Sequence, residues 1–230
     1  MLSELTRTPA DDSAKATAAR GMLVVVSSPS GGGKGTLIRR VLSSLSNLAY
    51  SVSYTTRSSR PGELNGREYF FVSTIEFEEM IARGEFLEWA NVYGHLYGTS
   101  SAQVERERTA GRDIILEIDV QGAANIRATV DGPVTIFILP PSFEVLRDRL
   151  ISRGTDSPED LQRRLTGAPA EVEQYKDFEY VILNDDVDCA ANKLAAIITA
   201  ERMRRRERQE PALKDALADF AKVQNPDTSG

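Results

Sequence analysis

A chain of 230 residues has room for one domain, or for one core with modest insertions. A hydrophobic fraction of 41%, a charged fraction of 27% and a net charge of −6 are ordinary for a soluble fold, and they argue against nucleic acid as the main partner without forbidding a local phosphate pocket. One cysteine, Cys189, excludes an internal disulfide framework and suits a cytoplasmic protein, and with only His95 beside it a zinc site has too few ligands.

Residues 1–20 are polar and Ala/Ser/Thr-rich and are expected to form a disordered leader, with at most a frayed helix over 13–20. From there short apolar runs alternate with helical patterns, which predicts an α/β fold: a three-layer core with a mostly parallel sheet. A strand is expected at 22–27, then a Gly-rich loop and a helix carrying Leu37, Ile38, Val41, Leu42 and Leu45. The rhythm then changes. Short strands rich in aromatic and β-branched residues are expected at 51–54, 69–72 and 86–93, with a helix over 74–82. The βαβ pattern resumes with strands at 113–118 and 134–139, helices at 121–129 and 142–152, and a helix starting at Pro158 with Ser157 as N-cap. A strand at 180–183 precedes the last long helix, whose buried face carries Leu194, Ile197 and Ile198. No apolar run is long enough to span a bilayer.

The organisation expected from this is a core of 21–51, 100–141 and 166–209, an inserted lobe of 52–99, a lid region of 142–165 and a C-terminal helix or tail of 210–230. Cys189 is expected to be a small core residue and His95 a solvated loop residue. The arginines Arg202, Arg204, Arg205, Arg206 and Arg208, interleaved with Glu201, Glu207 and Glu210, read as a solvated helical end.

The strongest motif is Ser28-Pro29-Ser30-Gly31-Gly32-Gly33-Lys34-Gly35-Thr36, between an apolar strand and an amphipathic helix. Glycines let successive amides converge on one anion, and the helix N-terminus adds unpaired donors and partial positive charge. Lys34 can reach β- and γ-phosphates, and the Thr36 hydroxyl can help hold Mg²⁺. The strict G-x-x-x-x-G-K-[ST] pattern fails at Ser28 and at Gly35. A Gly-rich turn with an exposed lysine is the plain alternative, and it leaves the flanking strand and helix unexplained.

The inserted lobe carries the acceptor chemistry. Arg57 and Arg60 stand three apart among hydroxyls, and guanidinium forks suit phosphate oxygens. Glu88 is set among aromatics, and a carboxylate can accept from the N1–H and N2–H₂ edge of guanine, which adenine lacks.

These runs resemble the guanylate kinase family. The likeness continues through Tyr97-Gly98-Thr99, the stretch Leu116-Glu117-Ile118-Asp119-Val120-Gln121-Gly122, Arg153-Gly154-Thr155 and Asn184-Asp185-Asp186, in family order over 21–208. The resemblance implies that Ser53, Arg57, Arg60, Tyr69 and Tyr97 hold the GMP phosphate. It implies that Glu88, Thr99 and Asp119 read guanine, with Glu63 nearby. Asp119 is also placed to contact the water shell of magnesium, and both roles stay open. Arg149 and Arg153 match arginines of a mobile lid, Arg164 lies on the next helix, and Asn184 and Asp185 lie where the adenine of ATP approaches. The implied reaction is ATP + GMP (or dGMP) ⇌ ADP + GDP (or dGDP), serving purine metabolism, with Mg²⁺. The acceptor phosphate is already anionic, so neutralisation by Lys34, Arg57, Arg149, Arg153 and Arg164 replaces a general base.

Other readings remain at this stage. The same fold could phosphorylate a ribosyl compound, which would not need Glu88, or serve as a scaffold binding phosphopeptide, which would not need an intact loop at Lys34. A signalling GTPase would need an N-K-x-D motif, which the sequence lacks. Nothing in the sequence sets the oligomeric state.

Overall fold

The computed structural model describes residues 20–154, 157–204, 215 and 217–220. The expectations for the leader up to residue 19, for Thr155 and Asp156, for Arg205, Glu207, Arg208 and their neighbours, and for most of the tail lie outside the described residues.

The first sheet is built on β1 (Leu23–Ser27), where every residue is buried. The Gly-rich loop leads into α1 (Lys34–Ser44), whose Leu37, Ile38 and Val41 are buried at the helical i, i+1, i+4 spacing. A short strand, β2 (Leu48–Tyr50), follows. Later come α3 (Ser101–Thr109), β7 (Asp113–Glu117), α4 (Val120–Thr129), β8 (Val134–Leu139), α5 (Phe143–Arg153), α6 (Pro158–Glu173), a 3₁₀ turn at Gln174–Asp177, β9 (Tyr180–Leu183) and α7 (Val187–Arg204). The strands run in the order β2-β7-β1-β8-β9, and every pairing among them is parallel. This is the expected α/β core.

Alternation along β1 feeds two apolar layers. Val24 and Val26 join Leu37, Ile38 and Val41 of α1 and Ala190, Leu194 and Ile198 of α7. Leu23 and Val25 face the other way, onto Val104 of α3 and Val120, Ala123 and Ile126 of α4. Burial on both faces explains why β1 and β8 read as apolar runs broken only by Ser27 and Thr135.

Residues 54–100 form a second sheet: β3 (Tyr54–Thr55), β4 (Phe70–Phe71), β5 (Phe86–Val92) and β6 (His95–Ser100), in the order β4-β3-β6-β5, with α2 (Thr74–Ala82) alongside. Aromatic stacking holds it. Phe77 of α2 stacks on Phe86 at 4.5 Å, and Tyr54 on Phe70 at 4.7 Å. Gly98 leaves room for this, since a Cβ there would sit 2.7 Å from the Phe86 ring. The β5–β6 turn is two residues long, Tyr93 and Gly94, both left-handed at φ 53 and 87, the backbone that a twisted hairpin demands.

Several expectations need correction. The strand expected at 51–54 falls between two strands: residues 51–53 are in neither, β2 ends at Tyr50 and pairs with β7 in the first sheet, and β3 begins at Tyr54 in the second. Three half-buried edge residues carry no periodic signal, and only the pairing with β7 defines them. β6 and α3 were not expected at all, because α3 buries only Val104 and Glu107 and so has no apolar stripe. His95 opens β6 half-buried and is not a loop residue. Cys189 is exposed on the outer side of α7 and not in the core, because Ala190, Ala191, Leu194 and Ile198 take the inner face. Arg202 is not part of a solvated end: its Nε donates at 2.7 Å to the fully buried Asp113, and its Nη2 donates at 2.8 Å to the Ser46 carbonyl. Asp113 in turn accepts the Met22 amide at 2.7 Å, so one ion pair fastens α7 to the starts of β1 and β7.

Candidate active site

The Gly-rich loop leaves the C-terminal end of β1, the centre of the parallel sheet, where such folds bind ligands. Helices α2 to α6 each have an N-cap side chain on their first amides: Ser73, Ser100, Asp119, Ser142 and Ser157. α1 does not. Its cap is Gly33, left-handed at φ 94, with no side-chain bond and no acid in the first turn. That end therefore keeps donors and positive potential for an anion.

The loop is tightly held from outside. Asn184 is buried, and its Nδ2 donates to the Gly32 carbonyl at 2.8 Å. Arg149 reaches from α5 with Nη2 on the Asn184 carbonyl at 3.1 Å and Nη1 on Gly32 O at 3.5 Å. Arg164 donates from α6 to Ser30 Oγ at 2.6 Å. A Cβ at Gly33 would lie 2.5 Å from Asn184 Nδ2, and one at Gly31 3.0 Å from Leu150, so the glycines are required by close approach as well as by conformation. Pro29 and Ser28 close the near side, with Ser28 Oγ donating to Pro29 O at 2.8 Å and accepting from Lys34 Nζ at 3.0 Å. Burial lowers the Lys34 pKa, an effect opposed by the carboxylates of Glu117, Glu171 and Asp119.

Gly35 and Thr36 depart from the strict motif in an informative way. A Cβ at Gly35 would sit 3.3 Å from Glu117 Oε1, so the place of the usual hydroxyl faces a carboxylate. Thr36 is exposed on the first turn of α1. Hydroxyl and carboxylate oxygens are the donors a hard cation such as Mg²⁺ takes, and the donor set fits it.

The lobe gathers its arginines as the sequence suggested. Arg57 is buried against the rings of Tyr69 and Phe71, 5.4 and 5.6 Å from their centroids, and donates to both Glu63 oxygens at 3.0 and 2.9 Å. Glu63 also accepts the Arg60 amide at 2.8 Å. Tyr69 and Tyr97 meet edge to face at 5.8 Å, and Ser53 is buried just before β3. Arg57, Arg60, Tyr93, His95, Asp160 and Arg164 line a pocket of about 270 Å³, which places two lobe arginines opposite one from α6.

Glu88 is buried on β5 and accepts the Thr99 hydroxyl at 2.6 Å. Burial pushes its carboxyl up to about 7, the Thr99 bond opposes this, and Asp119 adds to it. Asp119 caps α4, accepting the Gln121 and Gly122 amides at 3.2 and 3.1 Å, and its carboxyl is likewise raised by burial. The two carboxylates converge over Gly122, where a Cβ would lie 2.6 Å from Glu88 Oε2 and 3.2 Å from Asp119 Oδ1.

Not every expected residue joins these groups. Arg153 ends α5 exposed, acting on Lys34 only through its charge, and Asp185 is exposed with its carboxylate on the Asp186 amide at 2.9 Å. Two acids were missed. Glu117 takes the Tyr50 hydroxyl at 3.1 Å and lies opposite Val26 in the register of β1 and β7. Its place at the end of an apolar strand was a usable signal. Glu171 accepts the Ser30 amide at 3.0 Å from the far end of α6, and no local pattern marked it.

A parallel sheet with a lysine-bearing glycine loop at its centre, faced by arginines from other elements, defines a P-loop phosphotransferase. The guanylate kinase family model matches residues 20–201. A guanylate kinase of Dechloromonas aromatica is 53% identical over 180 residues, covering 78% of this chain and 89% of that protein. One from Symbiobacterium thermophilum is 49% identical over 185 residues, covering 80% and 88%. The crystal structure of guanylate kinase from Anaplasma phagocytophilum superposes with a TM-score of 0.71 at 33% identity, covering 91% of this chain and 97% of that one. The chain belongs to the guanylate kinase family.

Proposed function

We propose that the chain transfers the γ-phosphoryl group of ATP to GMP or dGMP, giving ADP and the nucleoside diphosphate, as a cytoplasmic step of purine metabolism and GMP recycling. The observation that carries the acceptor is the buried Glu88–Thr99 pair facing Asp119, an acceptor-rich wall matched to the N1–H and N2–H₂ edge of guanine. The raised Glu88 carboxyl means that guanine binding draws it into the ionised form.

Residues 52–99 act as the acceptor lobe, 142–165 as the lid and the remaining α/β elements as the core. Arg57, Arg60, Ser53, Tyr69 and Tyr97 hold the acceptor phosphate, with Glu63 fixing the fork of Arg57. The loop Ser28 to Thr36 holds the donor phosphates, and Asn184 and Asp185 flank the adenine side. Thr36 would hold magnesium, with Glu117, which faces the preceding Gly35, as a further oxygen donor on that side. When bound, the ion supplies charge neutralisation at the donor phosphates.

The acceptor oxygen is anionic at neutral pH, so no side chain need take its proton. Lys34 and Arg57 bring opposite charge to the two phosphates, and Arg149 and Arg164, already seated on the loop, supply it from the lid side. Arg153 completes the set from the end of α5. Packing of the lobe and α6 over the loop excludes water, the competing acceptor. No described helix is long and apolar enough to cross a membrane.

ADP release measured with GMP, dGMP, AMP and UMP as acceptors tests the assignment. GMP and dGMP should be turned over far faster than the other two. Preference for AMP would overturn the guanine role of Glu88.

A further inference from the structure

The tip of the lobe hairpin, helix α6 and the donor loop meet at one tyrosine. Tyr93 opens the β5–β6 turn at φ 53, a position that favours Asn, Asp or Gly, so a large side chain sits there against local preference. The reason lies across the cleft. Its hydroxyl donates to Glu171 Oε1, its ring lies 5.3 Å from the Arg164 guanidinium, and its carbonyl accepts from Arg163 at 3.3 Å. The hydroxyl rests against Gly167 of α6, where a Cβ would come within 2.9 Å of it.

The same two α6 side chains grip the donor loop. Glu171 Oε2 accepts the Ser30 amide at 3.0 Å, and Arg164 Nη1 donates to Ser30 Oγ at 2.6 Å. Glu171 also favours the charged form of Lys34. One carboxylate is therefore shared between a lobe side chain and a loop amide, and one guanidinium lies between the same two partners. Neither guanine reading nor phosphate binding requires this arrangement.

A contact that exists only when lobe, α6 and loop are together stabilises that state alone. Anything that binds the lobe in this position then favours the ordered loop, and the reverse holds by linkage. We propose that Tyr93 and Glu171 are positioning residues forming a latch that couples acceptor binding in the lobe to ordering of the donor loop. The latch rests on the reading of 28–36 as the donor site and 52–99 as the acceptor site.

The test is calorimetric. Binding of an ATP analogue with a nitrogen bridge between its β- and γ-phosphates is measured without and with saturating GMP. The full chain should bind it about tenfold more tightly with GMP present, in the usual range of coupled sites. Tyr93→Phe keeps the ring over Arg164 and removes only the hydroxyl that reaches Glu171. It should bring the ratio close to one while single-nucleotide affinities change by less than about threefold. Gly167→Ala should do the same with every hydrogen-bonding atom present. An unchanged ratio in Tyr93→Phe, or equal weakening of both nucleotides with the ratio intact, would overturn the latch. If the unaltered chain binds both nucleotides without coupling, the latch alone falls; if it binds neither, the site reading falls with it.

Discussion

In the first sheet β1 is buried along its whole length and is apolar up to its last residue, Ser27, whereas in the second sheet β3 and β4 are two residues each, Tyr-Thr and Phe-Phe, and mostly half-buried. The first sheet is a scaffold: burial on two faces favours Val, Leu and Ile at most of its central-strand positions, each contributing roughly 1.5–3 kcal/mol when fully buried. Its chemistry is confined to the strand ends, at Ser27 to Lys34 and at Glu117 to Asp119. The second sheet carries the groups proposed to meet the acceptor in it and beside it. Glu88 and Thr99 are buried on its strands as one pair, and Ser53 and Arg57 are buried on either side of β3, with Arg57 held by Glu63. A site at the end of a scaffold can be altered with little effect on the fold; a site built into a small sheet cannot be altered without disturbing the groups that pair with it.

Substitutions in the two regions should separate along this line. Lys34→Ala should lower kcat by ~10³, as removal of a preorganised charge at the transition state does, with GMP affinity largely kept; steady-state rates and direct GMP titration read both. Near-normal turnover would remove the donor-loop assignment. Glu88→Gln should cost roughly 10² in kcat/KM for GMP while the KM for ATP stays within about twofold. An equal loss for both nucleotides would show that the lobe does not read its ligand independently of the core. Arg202→Ala should lower stability by about 2 kcal/mol, because the fully buried Asp113 loses a hydrogen-bonded ion pair, and leave both KM values unchanged. Thermal melting shows the first effect and kinetics the second.

The smallest effect is a matter of pH. Glu88 titrates near 7 in the folded chain, above the 4.5 of an unperturbed glutamate. Its ionised form accepts the guanine donors, so the KM for GMP should rise as pH falls below about 7, by up to tenfold per unit, while the KM for ATP is flat. The same shift has the opposite sign for folding. Stability from protonated Glu88 is complete below 4.5 and is lost as pH rises through about 7. Glu88→Gln should abolish the pH dependence of the KM for GMP.

Much of this was legible in the chain itself. The apolar runs at β1, β7, β8 and β9, the Ser157-Pro158 start of α6 and the glycine loop were readable because burial on two faces, helix capping and phosphate binding each demand particular residues at a fixed spacing. The arginine run and Glu88 were read as the acceptor site on the same kind of demand, and the structure pairs Arg57 with Glu63 and Glu88 with Thr99. β2, β6 and α3 were not readable, since a three-residue edge strand and a polar helix acquire their structure from the partners they pack on. Cys189 and Arg202 were misread because a helix sequence does not say which side meets the core. Patterning along the chain carried the class of fold, and the likeness to a known family carried the reaction. Folding in three dimensions brought Asn184 and Arg149 onto the loop and Glu117 against Gly35. It alone joined Tyr93 to Ser30 through Glu171, since contacts between residues 78 and 141 apart in the chain follow no local period.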